Sequence, residues 1–185
     1  MLILQPGPTD GEDGDVSSIV PNDVYGNEVF LDSYAWTQNR ITNIKRSFIK
    51  FDFTNLPSNA IIDSAFLSLF FSLALVTTFP IFSGHSANNE IELKRVTGSW
   101  SQSSLNWANL PNITNLNQVS LASAITNNQN YPKIDVKNLV VEMKNNGNYG
   151  FMIKHLIEIP FRITCLTSSE EVNPLIRPKL VIYYH

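Results

Sequence analysis

"RSFIKFDF", residues 46–53, decides the fold class of this sequence. It alternates strictly. Ser47, Ile49, Phe51 and Phe53 point one way; Arg46, Phe48, Lys50 and Asp52 point the other. A period of two puts successive side chains on opposite sides of an extended chain, so the run reads as a strand with one buried face. Pro57 and Asn59 in "NLPSNAI" punctuate the turn that follows. Working outward, further strands are expected over 28–34 and near 63–72, 90–97, 149–157, 159–166 and 178–184.

One stretch has a different period. "DVKNLVVEMKNNGNYG" opens on Asp135, a good helix N-cap, and sets Val136, Leu139, Val140 and Met143 at helical spacing. Asn145, Asn146 and Gly147 supply the stop. Many short strands and one short helix define an all-β class: a β-sandwich of two antiparallel sheets with the helix plugging one end. The 185 residues show no internal repeat and no linker, so they are read as one domain over 1–185, long enough for a proper core.

Composition narrows the function classes. Charged residues make up only 16% of the chain, the net charge is −3, and there is no basic block. Phosphate binding needs clustered Lys and Arg, so nucleic acid is not the expected partner. Low charge with many Asn, Ser and Thr points to an extracellular or cell-surface setting. The N-terminus "MLILQPGPTDGEDGD" lacks the pattern of a signal peptide, so an exported protein would carry this chain as an internal domain. "AFLSLFFSLALVTTFPIF", residues 65–82, is apolar over nearly the length of a membrane span. Its early alternation, its Ser and Thr residues and Pro80 favour a buried strand followed by an apolar loop, with no membrane insertion. Cys165 has no partner for a disulfide and lies in the alternating run "FRITCLT", where it reads as a small buried hydrophobe.

Catalytic patterns are absent. His85, His155 and His185 sit far apart in unrelated contexts. His155 is in phase with Phe151 and Ile153, which suits a core or sheet-edge histidine. The carboxylate pairs Glu90/Glu92 and Glu170/Glu171 carry no mark of a glycosidase pair. No cofactor is called for. A structural calcium is one exception to weigh: "TDGEDGDV" crowds Asp10, Glu12, Asp13 and Asp15 among glycines, and hard oxygen ligands on a flexible loop suit that ion. A solvated acidic turn is the alternative.

Four segments occur in order: "RSFIKFDFTNLPSNAIIDSAFLSLF" (46–70), "LKRVTGSWSQSSLNWANLP" (93–111), "IDVKNLVVEMKNNGNYGFMIK" (134–154) and "TSSEEVNPLIRPKLVIYY" (167–184). Together with "DVYGNEVFLDSY" they resemble the DNRLRE-type domain, over nearly the whole chain. The resemblance implies a jelly-roll sandwich in bacterial and archaeal surface proteins, attached to other domains, with alginate-binding carbohydrate modules among its relatives. Gln102 stands where the family often has an acidic residue, and Lys137 where it usually has Thr.

Two functions follow. The first is a non-catalytic carbohydrate-binding module for an acidic polysaccharide such as alginate. If Ile49 and Phe51 are buried, Arg46 and Lys50 face out, as do Lys94, Lys154 and Arg162 on other strands; Arg40 and Lys45, read as preceding the strand, extend the patch. Such cations can meet uronate carboxylates. Trp36, in "DSYAWTQNR", is expected in a loop as a sugar-stacking platform. Trp100 and Trp107 are read instead as pegs that hold a Ser- and Asn-rich connection onto the sandwich. The second function is a structural or adhesive surface module with no sugar site.

Overall fold

The computed structural model describes residues 1–185. It is an all-β sandwich, as expected. The first sheet has four strands in the order β1–β11–β5–β8, with β1 Leu2–Leu4, β5 Ile62–Leu69, β8 Tyr131–Asp135 and β11 Lys179–Tyr184. The second follows the order β10–β3–β4–β9–β6–β7. Its strands are β3 Phe30–Gln38, β4 Ile41–Lys50, β6 Ile91–Val96, β7 Ile113–Leu121, β9 Phe151–His155 and β10 Arg162–Thr167. β2, Glu12–Ser17, also pairs with β4. Every strand pairing is antiparallel.

β4 organises the second sheet. Residues 41–45 pair with β3, residues 47–49 with β9, and residues 45–50 with β2. Ile49 and Phe51 enter the main core with Leu67, Leu69, Leu93, Phe151 and Ile153. Phe48 points away from it, yet is also fully buried. It joins Val16, Val96, Leu105 and Met152 in a second cluster, on which Trp100, Trp107 and Tyr149 pack. The alternating strand is therefore covered on both sides. Its outward side is roofed by the connection that carries the two tryptophans.

Helix α2, Lys137–Asn146, is the expected one. The Asp135 carboxylate accepts from the Lys137 N–H at 3.0 Å, one residue ahead of the cap position, and Gly147 ends the helix at φ 101°. Leu139, Val140 and Met143 are buried. A second helix was not expected. α1, Leu73–Thr78, takes up the segment read as an apolar loop. Ser72 caps it by accepting from Leu75 N–H, and Leu75 seals a third cluster with Phe30, Ile163 and Cys165. No helix is long and apolar enough to cross a membrane. The acidic run 12–17 is a strand, not a loop, because β4 lends it a continuous ladder partner.

Candidate functional site

An aromatic-lined groove of about 430 Å³ lies where β3 and β4 meet the chain after α1. Tyr34 and Lys45 are register partners, as are Trp36 and Asn43. Tyr25 enters from the loop after β2, where it bridges Asp15. Phe79, Ile81 and Phe82 arrive from the α1 side. The Trp36 ring meets Phe82 edge-on at 5.1 Å and Phe161 at 5.3 Å. Phe161 is 65% exposed at a φ of 71°, a conformation bulky residues rarely adopt.

Polar groups lie beside these rings. Asn43 Nδ2 donates to Tyr34 Oη at 2.8 Å and to Gln38 Oε1 at 3.3 Å. Ser17 Oγ donates to Asn43 Oδ1 at 2.8 Å. This chain of amide and hydroxyl groups fixes the orientation of each member, so the groove is shaped before any ligand arrives. Flat apolar faces next to fixed amides suit a ligand with C–H faces and hydroxyl edges.

Lys45 forms the floor. It is not a free cation preceding a strand: it lies within β4, 8% exposed, against Asp32 Oδ1 at 2.5 Å and Asp15 Oδ2 at 3.4 Å. Tyr25 and Tyr34 flank its ammonium at 4.8 and 5.7 Å. Burial works against the ammonium, but Asp32 and Asp15 outweigh it and hold the group above its usual range. Burial pushes the Asp15 carboxyl well above the ordinary carboxylate range; Lys45 opposes that shift and Asp32 adds to it. Burial likewise raises the Tyr34 phenol.

The other expected cations lie elsewhere and are paired. Arg46 grips Glu158 through two bonds of 2.7 and 2.8 Å and stacks on Trp107 at 4.9 Å. Lys154 lies between Glu158 and Glu92, at 3.7 and 3.9 Å, and Lys94 reaches Glu92 at 3.1 Å. Lys50 pairs with Glu12, and Arg162 with Glu90 at 3.3 Å. A carboxylate thus sits against each of them, which corrects the expectation of a free cationic strand face. Arg40 alone of this set stays unpaired and exposed, at the β3–β4 hairpin tip. Trp36 is in β3 rather than a loop, because "YAWTQ" continues the strand past Tyr34 and finds β4 as its partner.

The four acidic residues do not converge. Asp10 accepts from Gly7 N–H, Glu12 pairs with Lys50, Asp13 accepts from Ser169 N–H and Asp15 belongs to Lys45. Alternation along β2 sends neighbours to opposite sides. No group of three or more His, Cys, Asp or Glu is placed to hold a metal ion. His155 is buried with Nε2 3.1 Å from Thr164 Oγ1, and burial, helped by Arg162, lowers it to about 4. His85 Nδ1 accepts from Cys165 N–H. Neither histidine lines the groove.

Tyr25, Tyr34, Asn43 and Gln38 complete the groove. Tyr25 and Tyr34 are legible in the sequence as aromatic candidates for sugar stacking; the two amides gave no signal, since a strand Asn or Gln in this Asn-rich chain reads as solvent-facing polarity.

A β-sandwich with an aromatic groove beside fixed amides fits the class of carbohydrate-binding modules. The sequence pattern of carbohydrate-binding module family 96 matches residues 9–184, and the chain belongs to that family. No curated protein matches the sequence.

Proposed function

We propose that this chain holds a polysaccharide in the groove beside Trp36, without cleaving it, as part of a larger exported or cell-surface protein. One observation carries the reading. Trp36, Tyr34 and Tyr25 line one groove together with Asn43, Gln38 and Thr37. The rings offer stacking surfaces and the amides offer hydroxyl partners. The sparse charge and abundance of Asn, Ser and Thr support the extracellular setting. The burial of both His85 and His155 supports binding without catalysis.

An acidic polymer such as alginate remains the preferred ligand, on a different basis from a cationic sheet face. Arg40 stands at the hairpin tip two residues past Gln38, with no carboxylate of its own. It is the guanidinium free to take a uronate carboxylate bidentately. Affinity electrophoresis against alginate, pectin and a neutral glucan tests this. Retardation by alginate that Trp36→Ala abolishes and Arg40→Ala weakens is the expected result. Equal retardation by the neutral glucan removes the acidic preference. No retardation by any polymer leaves a structural or adhesive module.

A further inference from the structure

Lys45, Asp15 and Asp32 form a triad that sugar binding does not require. Three neighbouring strands bring them together, and their exposures are 8%, 0% and 2%. Lys45 Nζ lies 2.5 Å from Asp32 Oδ1 and 3.4 Å from Asp15 Oδ2. Asp15 Oδ2 also accepts from the Asp32 N–H at 3.0 Å, which fixes one carboxyl beside the other. Asp15 Oδ1 is buried and has no hydrogen-bond partner. Two tyrosine rings wall the ammonium. An ion pair in such a setting is costly to keep, because both charges have lost their water. An amine held against a carboxyl in a dry site reacts as if at a very high effective concentration.

We propose that Lys45 and Asp32 condense into an intramolecular isopeptide bond, with Asp15 as the proton shuttle. A proton passes from Lys45 Nζ to the Asp32 carboxylate along their short contact, leaving a neutral amine and a carboxylic acid. The Nζ lone pair then attacks Asp32 Cγ. The protonated Asp15 carboxyl donates to the developing oxyanion and then takes a proton from the nitrogen. The new C–N bond remains, one C–O bond breaks, and that oxygen leaves as water with a proton returned by Asp15. The remaining hydroxyl proton goes back to Asp15. The net change is an ammonium and a carboxylate giving one amide and one water, with Asp15 unchanged. No oxidant or other reactant is consumed. Burial pushes the Asp15 carboxyl well above the ordinary carboxylate range, the direction the shuttle role needs. The product replaces a buried ion pair with a neutral amide, and the bond forms whatever the groove binds.

Intact-mass spectrometry of the denatured full chain tests this directly. The expected mass is one water below that of the sequence. Peptide mapping should find the β3 and β4 peptides joined through Asp32 and Lys45. Lys45→Arg keeps the cation beside both carboxylates but cannot form this bond, and should regain the full mass. Asp15→Asn should slow formation in newly refolded protein, read as a growing full-mass fraction at early times. A folded wild-type chain that stays at full mass after prolonged incubation overturns the proposal. So does a water loss that persists in Lys45→Arg. A bond mapped to Asp15 instead overturns the assigned roles.

Discussion

The three tryptophans occupy two settings that differ in what lies beneath and beside the rings. Trp100 sits edge-on to Phe48 at 5.8 Å and donates its indole N–H to Tyr149 carbonyl at 2.7 Å. Trp107 lies over the Arg46 guanidinium in the same roof. These rings cover a buried cluster, and the polar groups around them solvate the connection. Trp36 touches other aromatics at their edges and lines an open groove with amides beside it. A tryptophan among Ser and Asn has a meaning only once its neighbours across the strand are known. Over a buried Phe it is a peg; beside a concavity it is a platform.

The contrast can be broken at either end. The largest effect should come from the roofed side. Phe48→Ala opens a cavity under Trp100 and should cost about 3–5 kcal/mol in denaturant unfolding. Polysaccharide retention by the remaining folded molecules should be unchanged, and lost retention would merge the two regions into one.

The next effect is a pH slope tied to the same roof. Asp13 N–H donates to Gln102 of the tryptophan connection at 3.2 Å, and Asp13 Oδ2 accepts from Ser169 N–H at 2.8 Å. Burial, with Glu170 adding, pushes the Asp13 carboxyl up to about 8. A carboxyl raised in the fold binds its proton more tightly there than in the unfolded chain. Its contribution is complete below the unfolded value of 3.8 and is lost as pH rises through about 8. Unfolding free energy should fall across that window by up to about 1.4 kcal/mol per pH unit. Asp13→Asn, which keeps an acceptor, should flatten the fall; an equal slope in the variant would assign it to another group.

On the open side, Trp36→Ala should weaken retention by about tenfold, roughly 1.4 kcal/mol, in affinity electrophoresis. Its melting curve should move far less than that of Phe48→Ala. The smallest effect belongs to Arg46→Ala. Its partner Glu158 is half-buried on the surface, so about 1 kcal/mol or less of stability should go, and retention should hold. A marked loss of retention there would move the ligand onto the paired cationic row.

The sandwich was legible because alternation shows plainly in the run 46–53, in β6 at Ile91 and Leu93, and in β11 at Leu180 and Ile182. β2 was not legible: "EDGDVS" has only Val16 among the residues that favour strands, and the ladder from β4 extends it. β7, "ITNLNQVSL", hides among the Asn-rich segments because most of it is solvated. The cations were correctly read as lying off the main core at Arg46 and Lys50. Their carboxylate partners were invisible, since Glu158 meets Arg46 across 112 residues of chain. Lys45 illustrates the same limit. Nothing local to "NIKRS" tells that Asp15 and Asp32 will close over it.

The pairing of β1 with β11 has a mechanical consequence. Leu2 lies opposite Ile182 and Leu4 opposite Leu180, so residues 1 and 185 emerge at the same end of one antiparallel pair. Tension applied between those two ends loads the ladder one rung at a time, as in opening a zipper, rather than shearing all rungs together. The β1–β11 seam should therefore yield at low force. An amide between β3 and β4 would lie outside that line of pull, so the groove could stay shaped while the edge peels and reseals.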